Sequence, residues 1–179
     1  MSSFTRPSQH ANVGLVWFRG TDLRLHDNEV VAMAHAKHDY VVHVYCWDDR
    51  VFRGTVDFSR TLPVTNWPKT GIFRAKFNLE AIQDLRSSII TASNQEQNLI
   101  LRSGLPEEVI PEIASLVGAK VVYCHEAEAL EELSIQNKLR SNLATEACQL
   151  HPVWGNTMYH INDLPANFLH KFPPNATQV

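Results

Sequence analysis

Five short apolar runs, separated by amphipathic segments, constrain this chain more than any other feature. The runs cover residues 13–18, 41–46, 98–101, 120–124 and 148–154. The second and fourth are apolar at nearly every position, which is typical of parallel strands buried on both faces. Strands that alternate with helices predict an α/β fold, a five-stranded, doubly wound parallel sheet of the Rossmann-like kind.

The segments between these runs carry helix signals. Asp27 or Asn28 can cap a helix that ends near residue 37, and Thr70 can cap a long helix over about residues 71–90. We expect the long helix to use one apolar face, formed by Phe73, Phe77, Ile82, Leu85 and Ile89.

Two further helices are predicted, and the first of them has residues suited to both of its ends. Pro106 is placed for the first turn of a helix, and Gly118 is placed to end it. A fourth helix is predicted over about residues 129–145. The longest irregular segment, residues 47–69, follows the second strand, so we expect it to arch over the carboxyl edge of the sheet, where such folds bind ligands.

Charge, hydropathy and cysteine usage exclude several classes of protein. The net charge is −3 and the basic residues are scattered, so we expect no nucleic-acid binding by the chain on its own. Its apolar runs are too short to cross a membrane. Cys46, Cys124 and Cys148 are far apart and predict free thiols in a reducing, intracellular compartment. Cytoplasm or nucleus is expected, and a Ser-rich amino terminus without acids leaves an organelle open.

Motifs for catalysis and phosphate binding are missing. The seven glycines form neither a dinucleotide-binding nor a phosphate-binding loop. No nucleophile, base and orienting residue stand together, so we expect no catalysis by the chain on its own. His35 and His38 are interpreted as part of a solvated helix face, and no metal site is predicted.

Several segments resemble the photolyase/cryptochrome family, and above all its DASH-type cryptochromes. VWFRGTDLRLHDNEVV (16–31) is similar to the family's first strand and helix, with Gly20 and Thr21 where the family usually has one residue. CWDDRVF (46–52), PKTGIFRAKFNLEAIQDLR (68–86), LILRSGLPEEVIPEIA (99–114) and WGNTMYHINDLP (154–165) resemble later parts of the same domain, in the same order.

This resemblance implies the family's amino-terminal α/β antenna domain. We expect it over residues 13–165, after a flexible tail at 1–12 and before a tail, or the start of a linker, at 166–179. The family is related to deoxyribodipyrimidine photolyase, and its FAD lies in a helical domain that this chain would lack. Arg19, Asp22, Arg24 and Asp27 would form a charge network after the first strand. These charges would either pair with one another and cap the helix, or they would help hold this domain against a second one.

The implied chromophore is 5,10-methenyltetrahydrofolate, with a role in light harvesting or blue-light and UV-A reception. In resembling proteins a glutamate at the start of the helix after the fourth strand binds the pterin, and it aligns with Glu131. A carboxylate can accept two parallel N–H groups from a pterin edge. The alternative is that Glu131 belongs to a solvated acidic helix start with Glu126, Glu128 and Glu132.

Phe52 is the second candidate for the chromophore site. It could stack on the chromophore ring or simply belong to the core. In the family the folate lies between two domains, so this chain would offer half a pocket. We therefore expect a helical FAD-binding domain or a second protomer as partner.

Two other functions remain open. The chain could be an interaction module that kept the fold and lost its chromophore, which the extra residue at Gly20–Thr21 and the presence of Ala127 favour. It could also be a small nucleotide-binding enzyme on a similar sheet, although the missing phosphate loops disfavour this.

Overall fold

The computed structural model describes residues 11–56, 67–158 and 160–163. Within them the strands, in chain order, are β1 (Val13–Phe18), β2 (Tyr40–Trp47), β3 (Thr55–Val56), β4 (Trp67–Pro68), β5 (Leu99–Ser103), β6 (Val121–His125) and β7 (Gln149–Val153). The helices are α1 (Glu29–Lys37), α2 (Asp49–Phe52), α3 (Ile72–Ala92), α4 (Pro106–Val117) and α5 (Leu130–Thr145), and a 3₁₀ turn covers Ile161–Asp163.

The main sheet has five parallel strands in the order β5-β2-β1-β6-β7. The predicted α/β fold with a five-stranded, doubly wound parallel sheet is therefore confirmed. The chain moves outward from β1 in one direction through β2 to β5, then returns to the other side of β1 for β6 and β7. This reversal places the topological switch point between β1 and β6, where folds of this class bind ligands.

Alternate residues of β1 enter two different cores, which is why every residue of this strand is buried. Leu15 and Trp17 face a cluster that includes Ile110 from α4 and Leu139 from α5. Val16 and Phe18 face the opposite cluster, which α1 and α3 cover with Val30, Ala34, Ile82, Leu85 and Ile89. Helices therefore cover both faces of the sheet.

The helix ends follow the predicted signals with one exception. Asn28 caps α1 by accepting the N–H of Val31, and Gly118 ends α4 with a left-handed φ of 74°. The exception is Thr70, which was predicted to cap α3 and does not. Gly71 occupies the cap position, and the Thr70 hydroxyl donates instead to the carbonyl oxygen of Val51, at 2.7 Å.

The first turns of α3 also differ from the prediction. The side chains of Phe73 and Phe77 are 87% and 67% exposed, so only the later apolar positions of this helix are buried. Asn78 is the first buried residue of this helix. The predicted irregular segment at 47–69 contains α2 and the antiparallel pair β3–β4, while residues 57–66 lie outside the described residues.

His43 is a buried histidine that makes stability depend on pH. Its side chain is 2% exposed on β2, and its Nε2 lies 3.2 Å from Nε2 of the exposed His35. Burial, together with the nearby His35, lowers the pKa of His43 to about 4. The unfolded chain therefore binds more protons than the folded one between this value and the ordinary histidine pKa of about 6.5.

We expect the free energy of unfolding to fall as the pH drops below about 6.5, with a loss of about 2 kcal/mol at pH 5 from His43 alone. Urea unfolding of the wild type and of His43→Leu at pH 8 and pH 5 measures this. The variant should lose most of that pH dependence, whereas His26→Gln, a change at an exposed histidine, should keep it. An equal slope in His43→Leu and the wild type would contradict the assignment.

None of the helices in the described ranges has the length and apolar character needed to span a membrane.

Candidate functional site

A cleft lies over the carboxyl ends of β1 and β2, next to the switch point. Its volume is about 240 Å³. Gly20 and Thr21, at the position where the resembling family has one residue fewer, line it together with Arg19. Most of its wall is aromatic or polar. These residues come from β1, β2, α2 with its cap, α3 and α5: Trp17, Phe18, Tyr45, Asp48, Phe52, Arg74, Phe77, Asn78 and Glu132. The cleft can therefore hold a flat ring and a few polar groups.

Phe52 forms part of this wall. It ends the short helix α2, and its ring stacks on Trp47 with a centroid distance of 3.7 Å and an interplanar angle of 15°. Phe52 is half-buried and belongs to neither core cluster, so the expectation that it is a core residue is not met. Its place on the cleft wall suits stacking on a ligand ring, and that role stays a prediction.

Glu131 lies in the first turn of α5. Its side chain is 62% exposed, and one oxygen accepts a hydrogen bond from the ammonium of Lys69. The next residue, Glu132, lines the cleft that contains Phe52, whereas Glu131 is not among the residues of that wall. The structure thus puts both predicted residues at the same edge of the sheet, although it does not bring them into contact.

The predicted charge network after β1 is organised differently. Asp22 is buried and pairs with His125 at the end of β6, at 2.7 Å, rather than with an arginine side chain. Arg19 contributes its backbone N–H to Asp22, at 2.5 Å. Its guanidinium donates to Gln136 and stacks over Trp17. These contacts join β1, β6 and α5 across the switch point.

The other two members of that predicted network make local contacts. Arg24 donates to the backbone carbonyl of Asp27, and Asn28 donates to the backbone carbonyl of Arg24. Two contacts stay within the four, but no ion pair joins their side chains in the described part of the chain, so the alternative that these charges satisfy one another holds only in part. None of the four caps α1; Asn28, the other candidate for that cap, does so. Sequence reasoning did not identify His125 and Gln136. For His125 the only available signal is its position at the end of a buried strand.

A second group of charges holds α2 against α4. Arg50 donates to both oxygens of Asp48 and to both oxygens of Glu107, with N–O distances of 2.7–3.1 Å. Both carboxylates are nearly buried. Burial alone would raise the pKa of Glu107, but the hydrogen bonds from Arg50 leave that pKa below its ordinary value. This triad keeps α2, and with it Phe52, at the cleft.

The three thiols are free and buried, as predicted. Burial, with the nearby Asp48 and Glu107, raises the pKa of Cys46, on the cleft wall, to about 12. Burial also raises the pKa of Cys124 to about 11. Neither group is a thiolate near neutral pH, so the cleft has no activated cysteine nucleophile. No group of three histidine, cysteine or acidic side chains suited to a metal occurs among residues 11–56, 67–158 and 160–163.

Comparison with known proteins assigns the chain and its fold to a family. The DNA photolyase family matches residues 14–174 of the chain. The chain belongs to the photolyase/cryptochrome family. Its described part has the architecture of the amino-terminal α/β domain of that family.

Several relatives of the chain are DASH-type cryptochromes. The chain is 39% identical over 158 residues to cryptochrome DASH from Xenopus laevis, which covers 88% of this chain and 28% of the relative. It is 35% identical to the chloroplastic/mitochondrial cryptochrome DASH of Oryza sativa, over 98% of this chain and 31% of the relative. The crystal structure of a Synechocystis cryptochrome superposes with a TM-score of 0.74 at 34% identity, covering 87% of this chain and 30% of that one.

The chain spans less than a third of the length of these relatives. The predicted domain limits at 13 and 165 are not tested by these matches. The predicted carboxyl-terminal tail at 166–179, and most of the amino-terminal tail at 1–12, lie outside the described residues.

Proposed function

We propose that this chain is a light-harvesting domain that binds a methenyl folate at the carboxyl edge of its sheet. Excitation energy would pass from the folate to FAD held by a helical domain. The observation that carries this proposal is the aromatic cleft at the switch point, with a solvent-accessible carboxylate beside it on the first turn of α5.

The chemistry of Glu131 suits a pterin. A pterin presents adjacent N–H groups on one edge, and a carboxylate can accept two of them in parallel. The first turn of a helix is also a favourable place for a negative charge, because the amino-terminal end of the helix dipole is positive. The stacked pair of Trp47 and Phe52 adds a flat aromatic surface nearby.

The cleft offers part of a pocket. Its volume of about 240 Å³ lies below the roughly 300–1,000 Å³ of complete ligand sites. Apolar surface also continues from the cleft, at Phe77, to Phe73 and Ile72 on the exposed first turns of α3. We propose that a helical FAD-binding domain or a second protomer supplies the missing wall, and that light reception depends on this partner.

A titration with methenyl folate, followed by near-ultraviolet and visible absorption, tests the proposal. The wild type should retain a chromophore band after gel filtration. Glu131→Gln should bind about tenfold or more weakly, because a hydrogen bond to a charged group is lost. Glu128→Gln removes an equal charge from the same acidic segment and should leave the affinity unchanged.

The controls separate three outcomes. Equal losses in Glu131→Gln and Glu128→Gln would mean that only the summed charge matters and would remove the assignment of Glu131. Binding of a flavin but not of folate by the wild type would support the antenna function with a different chromophore. A chain that stays colourless with both would contradict the proposal.

The second candidate is a chromophore-free interaction module. The exposed side chains of Ile72, Phe73 and Phe77 favour it, because a cluster of large apolar groups on one helix end is typical of a surface that another protein covers. Sedimentation velocity of the colourless chain, alone and mixed with a helical FAD-binding domain of a DASH-type cryptochrome, tests it. The absence of both self-association and complex formation would remove this candidate.

We also propose an intracellular location. The buried, unpaired state of the three thiols supports a reducing compartment. The name of the rice relative includes the words chloroplastic/mitochondrial, so the proposed location includes an organelle as well as cytoplasm and nucleus. Imaging of a fluorescent fusion would distinguish an organelle from cytoplasm and nucleus.

A further inference from the structure

We propose that Lys69 is a positioning residue for the chromophore and that it acts through Glu131. Its ammonium would hold the Glu131 carboxylate in the orientation that receives the edge of the pterin. This inference rests on the proposed function, since without a folate the pair would be only an ion pair at the surface.

The Lys69 side chain is held in place along its length. Only 25% of it is exposed, against 62% of the Glu131 side chain. The backbone N–H of Lys69 donates to the carbonyl oxygen of Gly54, at 2.9 Å. A Cβ at Gly54 would lie 3.3 Å from Cδ of Lys69 and 2.0 Å from the carbonyl oxygen of Arg50, so the lysine stem passes over a position that only glycine can occupy.

The neighbouring residue connects the same segment to the cleft. The Thr70 hydroxyl donates to the carbonyl of Val51, and Val51 and Phe52 both line the cleft. The dipeptide Lys69–Thr70 therefore contacts α2 with one side chain and α5 with the other. A single short segment thus sets the relative positions of Phe52 and Glu131, the two residues predicted to contact the chromophore.

The geometry favours positioning over competition for the carboxylate. Lys69 donates to one oxygen of Glu131, whereas a carboxylate has acceptor sites for about four donors. Two parallel N–H groups of a pterin can therefore bind while Lys69 stays in place. The ammonium also offsets repulsion from the acids at Glu128 and Glu132, and it restricts a side chain that would otherwise sample several rotamers.

Affinity for methenyl folate in four variants of the full chain tests this role. Lys69→Met should weaken binding about three- to tenfold. Lys69→Arg keeps the positive charge, so its affinity should stay within about twofold of the wild type. Lys76→Met is the matched control, because Lys76 also pairs with a glutamate but lies exposed on α3. In the Glu131→Gln background, Lys69→Met should cause no further loss.

Each outcome bears on a different statement. A wild type that binds folate while Lys69→Met binds equally well or more tightly would overturn this inference and leave the proposed function standing. If Lys69→Met lowered the folate affinity equally in the wild-type and Glu131→Gln backgrounds, the inference would also be overturned, because the lysine would then act independently of the glutamate. A wild type that binds no folate would overturn the proposed function, and this inference with it.

Discussion

Replacement of Arg50 by methionine is expected to lower the free energy of unfolding by about 3–5 kcal/mol. The change would leave Asp48 and Glu107, both nearly buried, without the guanidinium that hydrogen-bonds to each of them. Two uncompensated carboxylates would then face each other between α2 and α4. Urea unfolding at pH 7, followed by circular dichroism, measures the effect.

Arg53 provides the matched control. It lies just beyond α2 and pairs with Asp49, but its side chain is 81% exposed. Arg53→Met should therefore cost less than about 1 kcal/mol. Similar losses in the two variants would show that the net charge, rather than the buried triad, determines the result.

The effect of Arg50→Met should also depend on pH. In the wild type the pKa of Glu107 is held low, so the stability from this interaction is present above the unfolded-state pKa and is lost as the pH falls through the folded value. In the variant the carboxylates can take up protons, which relieves their repulsion. The difference in stability between wild type and variant should consequently narrow between pH 7 and pH 5, and a constant difference would contradict this explanation.

Replacement of Asp22 by alanine is expected to cost about 3 kcal/mol. Asp22 accepts the Nδ1–H of His125 through one oxygen and the backbone N–H of Arg19 through the other. Both members of the Asp22–His125 pair are about 1% exposed, so water cannot replace the lost contacts without entering the core. Thermal and urea unfolding of the variant measure the cost.

Two further variants decide whether the buried pair is responsible. Asp22→Asn should cost less than Asp22→Ala, because an amide can still accept from Arg19 and bond to one tautomer of His125. Asp39→Ala changes an exposed aspartate and should stay within about 0.5 kcal/mol of the wild type. Equal losses in Asp22→Ala and Asp39→Ala would show that the switch-point pair does not hold β1 and β6 together.

The candidate site combines residues that are distant along the chain. Lys69 and Glu131 are separated by 62 positions, Arg50 and Glu107 by 57, and Asp22 and His125 by 103. The family resemblance predicted Glu131, and the place of Phe52 on the segment over the carboxyl edge predicted that residue; both roles stay predictions. Sequence reasoning did not single out Lys69, His125 or Gln136, because the contact that marks each of them is with a residue on another element.

The fold itself was largely determined by local sequence patterns. The period and length of the apolar runs specify buried strands, and Asn28, Pro106 and Gly118 specify helix ends, because these signals act through contacts within a few residues. The same patterns placed Phe73 and Phe77 on a buried face, although the structure exposes both. An apolar side chain on a helix is buried only where other residues cover it, and along α3 burial begins only at Asn78.

What only the tertiary structure decided is the pairing of charges at the carboxyl edge. The family resemblance implied a charge network of Arg19, Asp22, Arg24 and Asp27, whereas the strand order brings His125 to Asp22 and Gln136 to Arg19. Periodicity depends on neighbours in sequence, so the chain alone determines its strands, most of its helix ends and its α/β class. Which ionic groups meet depends on which strands lie side by side, and that order is set when the two layers of helices pack on the sheet.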